Sequence, residues 1–494
     1  MEIKNRVVMT AANLAYASEK GLVTEKIVDF YRERARGGTG LLVAGAIGVD
    51  PERVNTAGTM QLSSDECIPG MRELTGAVHE EDGKIFAQLW HPGAYALPSQ
   101  FGGACPVAPS SYYCSFSRCK TEALSIAEIQ SVIQYFADAS GRAKTAGFDG
   151  LEIMASAGYL ISQFLSPLTN MRNDSYGGSL SGRMTFLREI IQAVRAEAGP
   201  DLPVMVRLSG NDFMAGGNNN DDCIRIAQEC ELYGADALDI TGGWHESRIP
   251  QLTEDVPQGA FAYLAARVKR NVSIPVVACN RMNEAIGEQL LEEGSADYIG
   301  FCRQLIADPE YTRKIRENTE SIKRCTACNR GCLDRIFKGK PLECVLRHAP
   351  DISGHDISCN AETEHGSSAR GKNIIVCGGS TSGVRTAIRL AEEGTINSDV
   401  LRFLFLYRAE SPDFLYDLLT HNGRKITIVE PGAKLCADSG GSARVALLNK
   451  LKLFPVDICL ESELVASDEG TVTIKKQDGS VVQIKADDIV GWHQ

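Results

Sequence analysis

The 494-residue chain lacks any run of about 18 uninterrupted apolar residues, the length a membrane span requires. Its opening Met-Glu-Ile-Lys-Asn-Arg also lacks the apolar core of a secretory signal. No membrane partner is expected, and the chain is expected in the cytoplasm. An excess of positive charge is missing too: 51 Lys and Arg against 63 Asp and Glu leave a formal net charge of −12. That sign repels phosphate backbones, so nucleic acid is not an expected partner. Sixteen cysteines are few for this length and come without a signal, which points to reduced thiols and metal ligands rather than a disulfide framework. Low-complexity tracts and internal repeats, beyond a strand–helix alternation, are absent. Composition leaves the oligomeric state open.

What is present is an α/β texture long enough for two or three domains. Residues 1–320 repeat an apolar run, a Gly-rich or polar turn and a helical stretch. Candidate strands are Arg6–Met9, Gly40–Ala44, Lys84–Leu89, Gly150–Ile153, Val204–Leu208, Ala237–Ile240, Pro275–Ala278 and Tyr298–Phe301. Eight is the number a closed parallel (β/α)8 TIM barrel needs. An open doubly wound sheet shares the alternation, so the strand ends must decide. A cysteine-rich segment follows at 321–350, then a polar linker at 351–372, then a second α/β unit at 373–494. That unit has strands at Asn373–Cys377 and Lys425–Glu430 and a β-meander across Asp457–Val490.

The spacing Cys325-x2-Cys328-x3-Cys332-x11-Cys344 puts three thiols on one tight loop and a fourth a short reversal away. Four thiolates so spaced suit a [4Fe–4S] cluster. Zinc sites more often use two separated Cys pairs, and zinc stays as the alternative.

Barrel active sites lie at the carboxyl ends of the strands. Here those ends carry Thr10-Ala11, Gly45, Gln88-Leu-Trp-His91, Met154 to Tyr159, Arg207, Gly242 to His245, Asn280-Arg281 and Cys302-Arg303. With Arg32 to Gly38, Gly158 to Leu165, Asn170 to Gly178, Gly243 to Pro250 and the cysteine tetrad, they resemble the Old Yellow Enzyme superfamily. The likeness is greatest to its iron–sulfur branch of 2,4-dienoyl-CoA reductases and NADH:flavin oxidoreductases, and covers about 350 residues.

The resemblance implies FMN across the barrel mouth, with the backbone at Thr10 and Ala11 and with Gly45 along the flavin edge. Gln88 would bond the pyrimidine ring, and Arg207 would offset the negative charge of reduced flavin. Arg281, Arg303 and the backbone of Gly300 to Cys302 would take the phosphate. Relatives often hold a substrate carbonyl with a His/His or His/Asn pair at positions that are here Met154 and Ala157. Tyr159 and His245 remain, matching the dienoyl-CoA reductase arrangement in which tyrosine gives a proton and histidine assists. A core tyrosine and a turn-capping histidine are the bland alternatives.

In the tail, Gly378-Gly-Ser380-Thr-Ser-Gly383 follows a strand and opens a helix, but its middle glycine is Ser380. Glu430 ends the next strand, where a ribose hydroxyl acceptor would favour NADH. The tail thus reads as a partial Rossmann-like domain that binds NAD(P)H or persists as a structural remnant. Full-length relatives insert an FAD-binding half whose fingerprint is missing here, so FAD is expected to be lost and an electron-donor protein becomes an expected partner. The expected activity is reduction, or in reverse formation, of a C=C bond conjugated to a carbonyl in an enone or enoyl-CoA. A non-catalytic flavin and iron–sulfur electron relay is the alternative; a zinc-bearing barrel hydrolase finds no catalytic motif.

Overall fold

The computed structural model describes residues 1–347, 373–392, 412–420 and 424–491, apart from positions 54, 56, 255, 293, 318 and 469. The linker expected at 351–372 lies outside them. Two compact units form: Met1–Ala327 with Gly331–Ala349, and Cys328–Arg330 with Pro350–Gln494. Among the described residues no helix is long and apolar enough to cross a membrane.

The first unit is a closed parallel barrel. Its strands are β1 (Val7–Met9), β2 (Leu41–Gly48), β3 (Lys84–Trp90), β4 (Gly150–Ala155), β5 (Val204–Ser209), β6 (Ala237–Thr241), β7 (Val276–Ala278) and β8 (Tyr298–Phe301). Each pairs with the next, and β1 pairs with both β8 and β2, closing the ring. All eight expected strands are present. The second runs four residues past Ala44, with a register shift between Ala44 and Ile47, so Gly45 sits inside the strand. The continuing apolar run Ala44-Gly-Ala-Ile47 explains the extension.

Helices cover the outside because their apolar positions recur at helical spacing. The helix Ile126–Thr145 buries Ile129, Val132, Ile133, Phe136, Ala139 and Ala143 and starts with a reciprocal Ser125/Glu128 capping box. Strand β4 is buried along all six residues, as a strand covered on both faces must be. It nevertheless carries Glu152, whose carboxyl group requires polar partners inside the barrel.

The second unit has a parallel sheet in the order β11 (Val456–Cys459), β10 (Lys425–Val429), β9 (Asn373–Cys377) and β15 (Asp488–Val490). The antiparallel meander is shorter than expected: only β12 (Ser462–Asp468), β13 (Thr471–Lys476) and β14 (Val481–Lys485) form it. The flanking segments Val456–Cys459 and Asp488–Val490 are instead drawn into the parallel sheet, where Val456 and Val490 pack on the apolar cluster beneath it.

Candidate active site

At the carboxyl end of the barrel, close backbone approaches select glycine. A Cβ at Gly45 would lie 2.7 Å from Gln88 Cβ and 3.1 Å from Ala11 Cβ; one at Gly300 would meet Thr10 Cγ2 at 2.7 Å and Cys279 Cβ at 2.8 Å. Thr10, itself buried, donates its N–H to Phe301 O at 3.0 Å. The sequence-predicted Thr10, Ala11, Gly45, Gln88 and Gly300 therefore come together on adjoining strands β1, β2, β3 and β8.

Below them runs a buried charged layer. Gln88 Nε2 donates to Glu152 Oε2, and Arg207 Nη1 pairs with Asp239 Oδ2 at 2.7 Å. Burial would lower the Arg207 pKa, but Asp239, with Cys279 and Glu152, raises it above the ordinary arginine value. Arg207 is a fixed cation. Burial and then the Asp239 carboxylate push Glu152 well above the usual carboxylate range.

Tyr159 and His245 face each other with Oη to Nε2 at 3.0 Å. They arrive from β4 and β6 through loops of special geometry. Gly158 has φ +88°, with Tyr95 packed where its Cβ would be, and Ala157 has φ 60° and donates its N–H to Ser209 Oγ at 2.9 Å. The His245 N–H donates to Ala157 O at 3.3 Å, tying the loops together. Trp244 Nε1–H donates to buried Asp212 at 2.8 Å, anchoring the neighbour of His245. Trp90 and Tyr95 stand edge-on to the Tyr159 ring at 5.5 and 5.7 Å, and Phe116 lies 5.7 Å from the His245 ring. Tyr95 and Ser115 both donate to Glu246. Burial pushes Tyr159 up to about 12, against the pull of Arg207, so it is a phenol at neutral pH. Desolvation lowers His245 to about 4, although the residue keeps contact with solvent, which screens part of the effect.

Other expected residues are occupied within the protein. Arg281 Nε donates to Val256 O at 3.1 Å and Arg303 Nη1 to Leu252 O, so both reach toward the loop after β6. Cys302 precedes the short helix Arg303–Ala307. The Met154 thioether accepts from Ser156 Oγ at 3.4 Å.

Around the cysteines, Cys325 N–H donates to Gln304 Oε1 at 2.9 Å, and Glu343 N–H donates to Gly331 O at 2.7 Å, drawing the chain before Cys344 onto that before Cys332. Ala327 and Asn329 adopt left-handed φ of 57° and 58°. Burial pushes the Cys332 thiol up to about 12; Leu333 N–H and Arg303 pull it down, while Cys325 and Cys302 raise it. Among the described residues no group of three or more His, Cys, Asp or Glu side chains converges as a metal-holding set.

In the second unit, Gly378 has φ +93° and gives its N–H to Val429 O at 2.8 Å. Glu430 accepts from Gly379 N and, at 2.7 Å, from Gly432 N. Thr381 N–H donates to Asp438 Oδ1 at 2.8 Å, and Gly383 N–H to Ser380 Oγ at 3.3 Å. Gly378 and Gly383 thus bound one turn, and Glu430, just past the end of β10, binds that turn's backbone at Gly379.

Sequence reasoning missed Glu152, Asp239, Asp212, Tyr95 and Glu246. The first two had a signal: a carboxylate inside an otherwise apolar strand. The others stand in loops, where spacing says little about direction.

The fold is a closed parallel (β/α)8 barrel with its polar and aromatic side chains gathered at the carboxyl ends of the strands. Residues 1–321 match the NADH:flavin oxidoreductase / NADH oxidase family. The chain belongs to this family, the Old Yellow Enzyme family. It is similar to a metal reductase of Desulforamulus reducens, 36% identical with 99% of this chain and 91% of the relative covered. That alignment spans 613 positions, more than the 494 residues here, so the relative carries stretches this chain lacks. It is also similar to a cinnamate reductase of Clostridium sporogenes, 30% identical over 78% of this chain and 61% of the relative. The chain spans about three fifths of several curated relatives it matches. Among solved structures, a 2-naphthoyl-CoA reductase in complex with 2-naphthoyl-CoA superposes with a TM-score of 0.80 at 25% identity, covering 99% of this chain and 90% of that one.

Proposed function

We propose that the protein is an FMN-dependent ene-reductase acting on a C=C bond conjugated to a carbonyl, as in an enoyl-CoA, a dienoyl-CoA or an enone. The observation that carries this reading is the Tyr159–His245 pair, held 3.0 Å apart at the strand ends of a barrel whose buried layer holds the cation Arg207. Gly45 and Gly300 let Gln88 and Thr10 pack closely on the strands at the mouth, where Arg207, Arg281 and Arg303, with the Gln88 amide and the chain at Thr10, Ala11 and Cys302, would hold an anionic cofactor. When bound, FMN supplies hydride to the electron-poor carbon of the conjugated bond.

The chain's own residues do the rest. Tyr159 gives its proton to the other carbon, so that hydride and proton together saturate the bond. For the phenol to point at substrate, His245 donates Nε2–H to the tyrosine oxygen, which a neutral ring with its proton on Nε2 can do. Arg207 favours the negative charge of the reduced cofactor. Trp90, Tyr95 and Phe116 wall the pair with aromatic surface, which favours the neutral phenol.

A [4Fe–4S] cluster on Cys325, Cys328, Cys332 and Cys344 is part of this proposal. Its support is the cysteine spacing, the left-handed Ala327 and Asn329 and the Gly331–Glu343 backbone bond. NAD(P)H is the proposed reductant. It is delivered either through the tail turn of Gly378, Gly383 and Glu430 or through a partner protein that supplies electrons in place of the FAD-binding half.

The test is anaerobic: protein reconstituted with FMN and photoreduced is mixed with cinnamate and with an enoyl-CoA. Reoxidation at a rate that depends on substrate supports the proposal; a protein that holds its electrons against every conjugated carbonyl compound is the relay instead. The tail, where the turn's donors are already consumed, is the observation that favours that second reading.

A further inference from the structure

The buried layer holds more acid than its cation balances. Glu152 and Asp239 are both fully buried, and among the described residues the cation that faces them is Arg207 on β5. Gln88 on β3, Asp239 on β6 and Cys279 on β7 complete the groups around it, with Cys302 from the end of β8 facing Arg207. Each carboxylate keeps one buried oxygen, Glu152 Oε1 and Asp239 Oδ1, with no hydrogen-bond partner among the described residues. Two adjacent carboxylates with one free oxygen each are satisfied by one shared proton.

The amide of Gln88 reports where that proton lies. Its Nε2 donates to Glu152 Oε2, so Oε2 is an acceptor and the proton belongs on Oε1, toward Asp239. The amide oxygen of Gln88 is then left on the side of Gly45, where a Cβ on the glycine would lie 2.9 Å from it. A proton on Oε2 would instead turn the amide over and present NH2 to that side.

We propose that Glu152 is a positioning residue: it carries the single proton of a buried Glu152–Asp239 acid pair and, by accepting from Gln88, presents the Gln88 amide oxygen to the cofactor. The inference rests on the FMN reading above. With the proton in place the layer is neutral, one cation against one carboxylate. Once the proton is lost, a second negative charge sits under the site and opposes a negatively charged reduced flavin. The upward displacement of the Glu152 pKa agrees with the geometry.

Two variants separate this from a merely structural role. Glu152→Gln copies the protonated acid, since its carbonyl accepts from Gln88 and its NH2 donates to Asp239. FMN affinity at neutral pH is then expected to stay within about threefold of the parent, whereas Glu152→Leu, which strands both Gln88 and Asp239, is expected to lose about tenfold or more. In the parent the flavin midpoint potential acquires an extra downward slope as pH rises above neutrality, and Glu152→Gln removes that slope. Infrared spectra of FMN-free protein are expected to show a buried carboxylic-acid C=O band at neutral pH that Glu152→Gln abolishes; this arm needs only folded parent protein if a variant fails to fold. A parent with no such band, or a Glu152→Gln variant that keeps the slope or loses as much affinity as Glu152→Leu, overturns the inference. A parent that shows the band yet binds no FMN overturns the cofactor reading and leaves the shared proton standing.

Discussion

The barrel mouth and the tail turn are both glycine-built cradles at strand ends, and they differ in where their polar groups are directed. At the mouth, Gly45 and Gly300 let Gln88 and Thr10 pack against the strands, and the Gln88 amide oxygen lies on the Gly45 side. In the tail, the N–H groups of Gly379 and Gly432 are bound by Glu430, that of Thr381 by Asp438 and that of Gly383 by Ser380. A pyrophosphate needs those donors and a helix N-terminus without a competing carboxylate. The tail turn thus spends its donors on its own carboxylates, whereas the mouth keeps a buried cation, Arg207, beside its strand ends. A glycine pattern fixes the path of the chain but leaves open which group the freed donors meet.

The largest expected effect tests the mouth alone. Tyr159→Phe removes the proton donor while keeping the ring against Trp90 and Tyr95, so substrate-dependent reoxidation of reduced protein is expected to slow by about 10²- to 10⁴-fold. FMN affinity is expected to be unchanged, and Asp438→Ala in the tail is expected to leave the same rate intact. Stopped-flow flavin absorbance measures both. A comparable loss from the tail variant would break the contrast.

Next in size is the dependence of the mouth on its buried cation. Arg207→Met leaves Asp239 buried without a counter-charge, and a loss of about 3–5 kcal/mol in urea unfolding is expected. Combining it with Asp239→Leu is expected to recover most of that loss. A single variant as stable as the parent would show that the charged layer is not the constraint inferred here.

A smaller effect sharpens the tail side. Asp438→Ala frees the Thr381 N–H and removes a negative charge from a helix start. NADH affinity is expected to rise about two- to fivefold, the scale of a helix-terminus charge effect. Fluorescence titration with NADH reads this directly. Weaker binding in the variant would mean that the carboxylate assists the nucleotide.

The contrast also marks what the sequence makes legible. The eight barrel strands are readable because short apolar runs follow helix ends that carry glycine, such as Gly37-Gly38, Gly147 and Gly234. Gly45 was expected just past a strand and lies within one, because apolar character continues to Ile47 and periodicity alone cannot see a register shift. Tyr159 and His245 are recognisable from the motifs around them, but their 3.0 Å approach depends on the left-handed turn at Ala157 and Gly158, which only the fold fixes. Asp438 carries no signal at all. It lies 57 positions from Thr381, and such a contact has no local pattern.

The smallest expected effect separates the two regions by acid titration. His245 is held neutral, its pKa lowered to about 4 from an ordinary 6.5. The unfolded chain therefore takes up a proton that the native mouth refuses, and the stability His245 supplies is present above pH 6.5 and is lost as pH falls toward 4. For Asp438, burial alone would raise the pKa, but the Thr381 bonds hold it below the ordinary 3.8, so its contribution is present above that value and is lost only as pH falls further. Unfolding free energy is measured against pH for the parent, His245→Asn and Asp438→Ala. The parent-minus-variant difference is expected to shrink between pH 6.5 and 4 for His245, with a slope of up to about one proton, and below pH 4 for Asp438. Both groups are solvent-exposed, so the effects are small, but the windows do not overlap. A His245 difference that stays flat down to pH 4 would mean that the ring is as solvated as in the unfolded chain, and the partial desolvation that holds the Tyr159 phenol neutral would be in question with it.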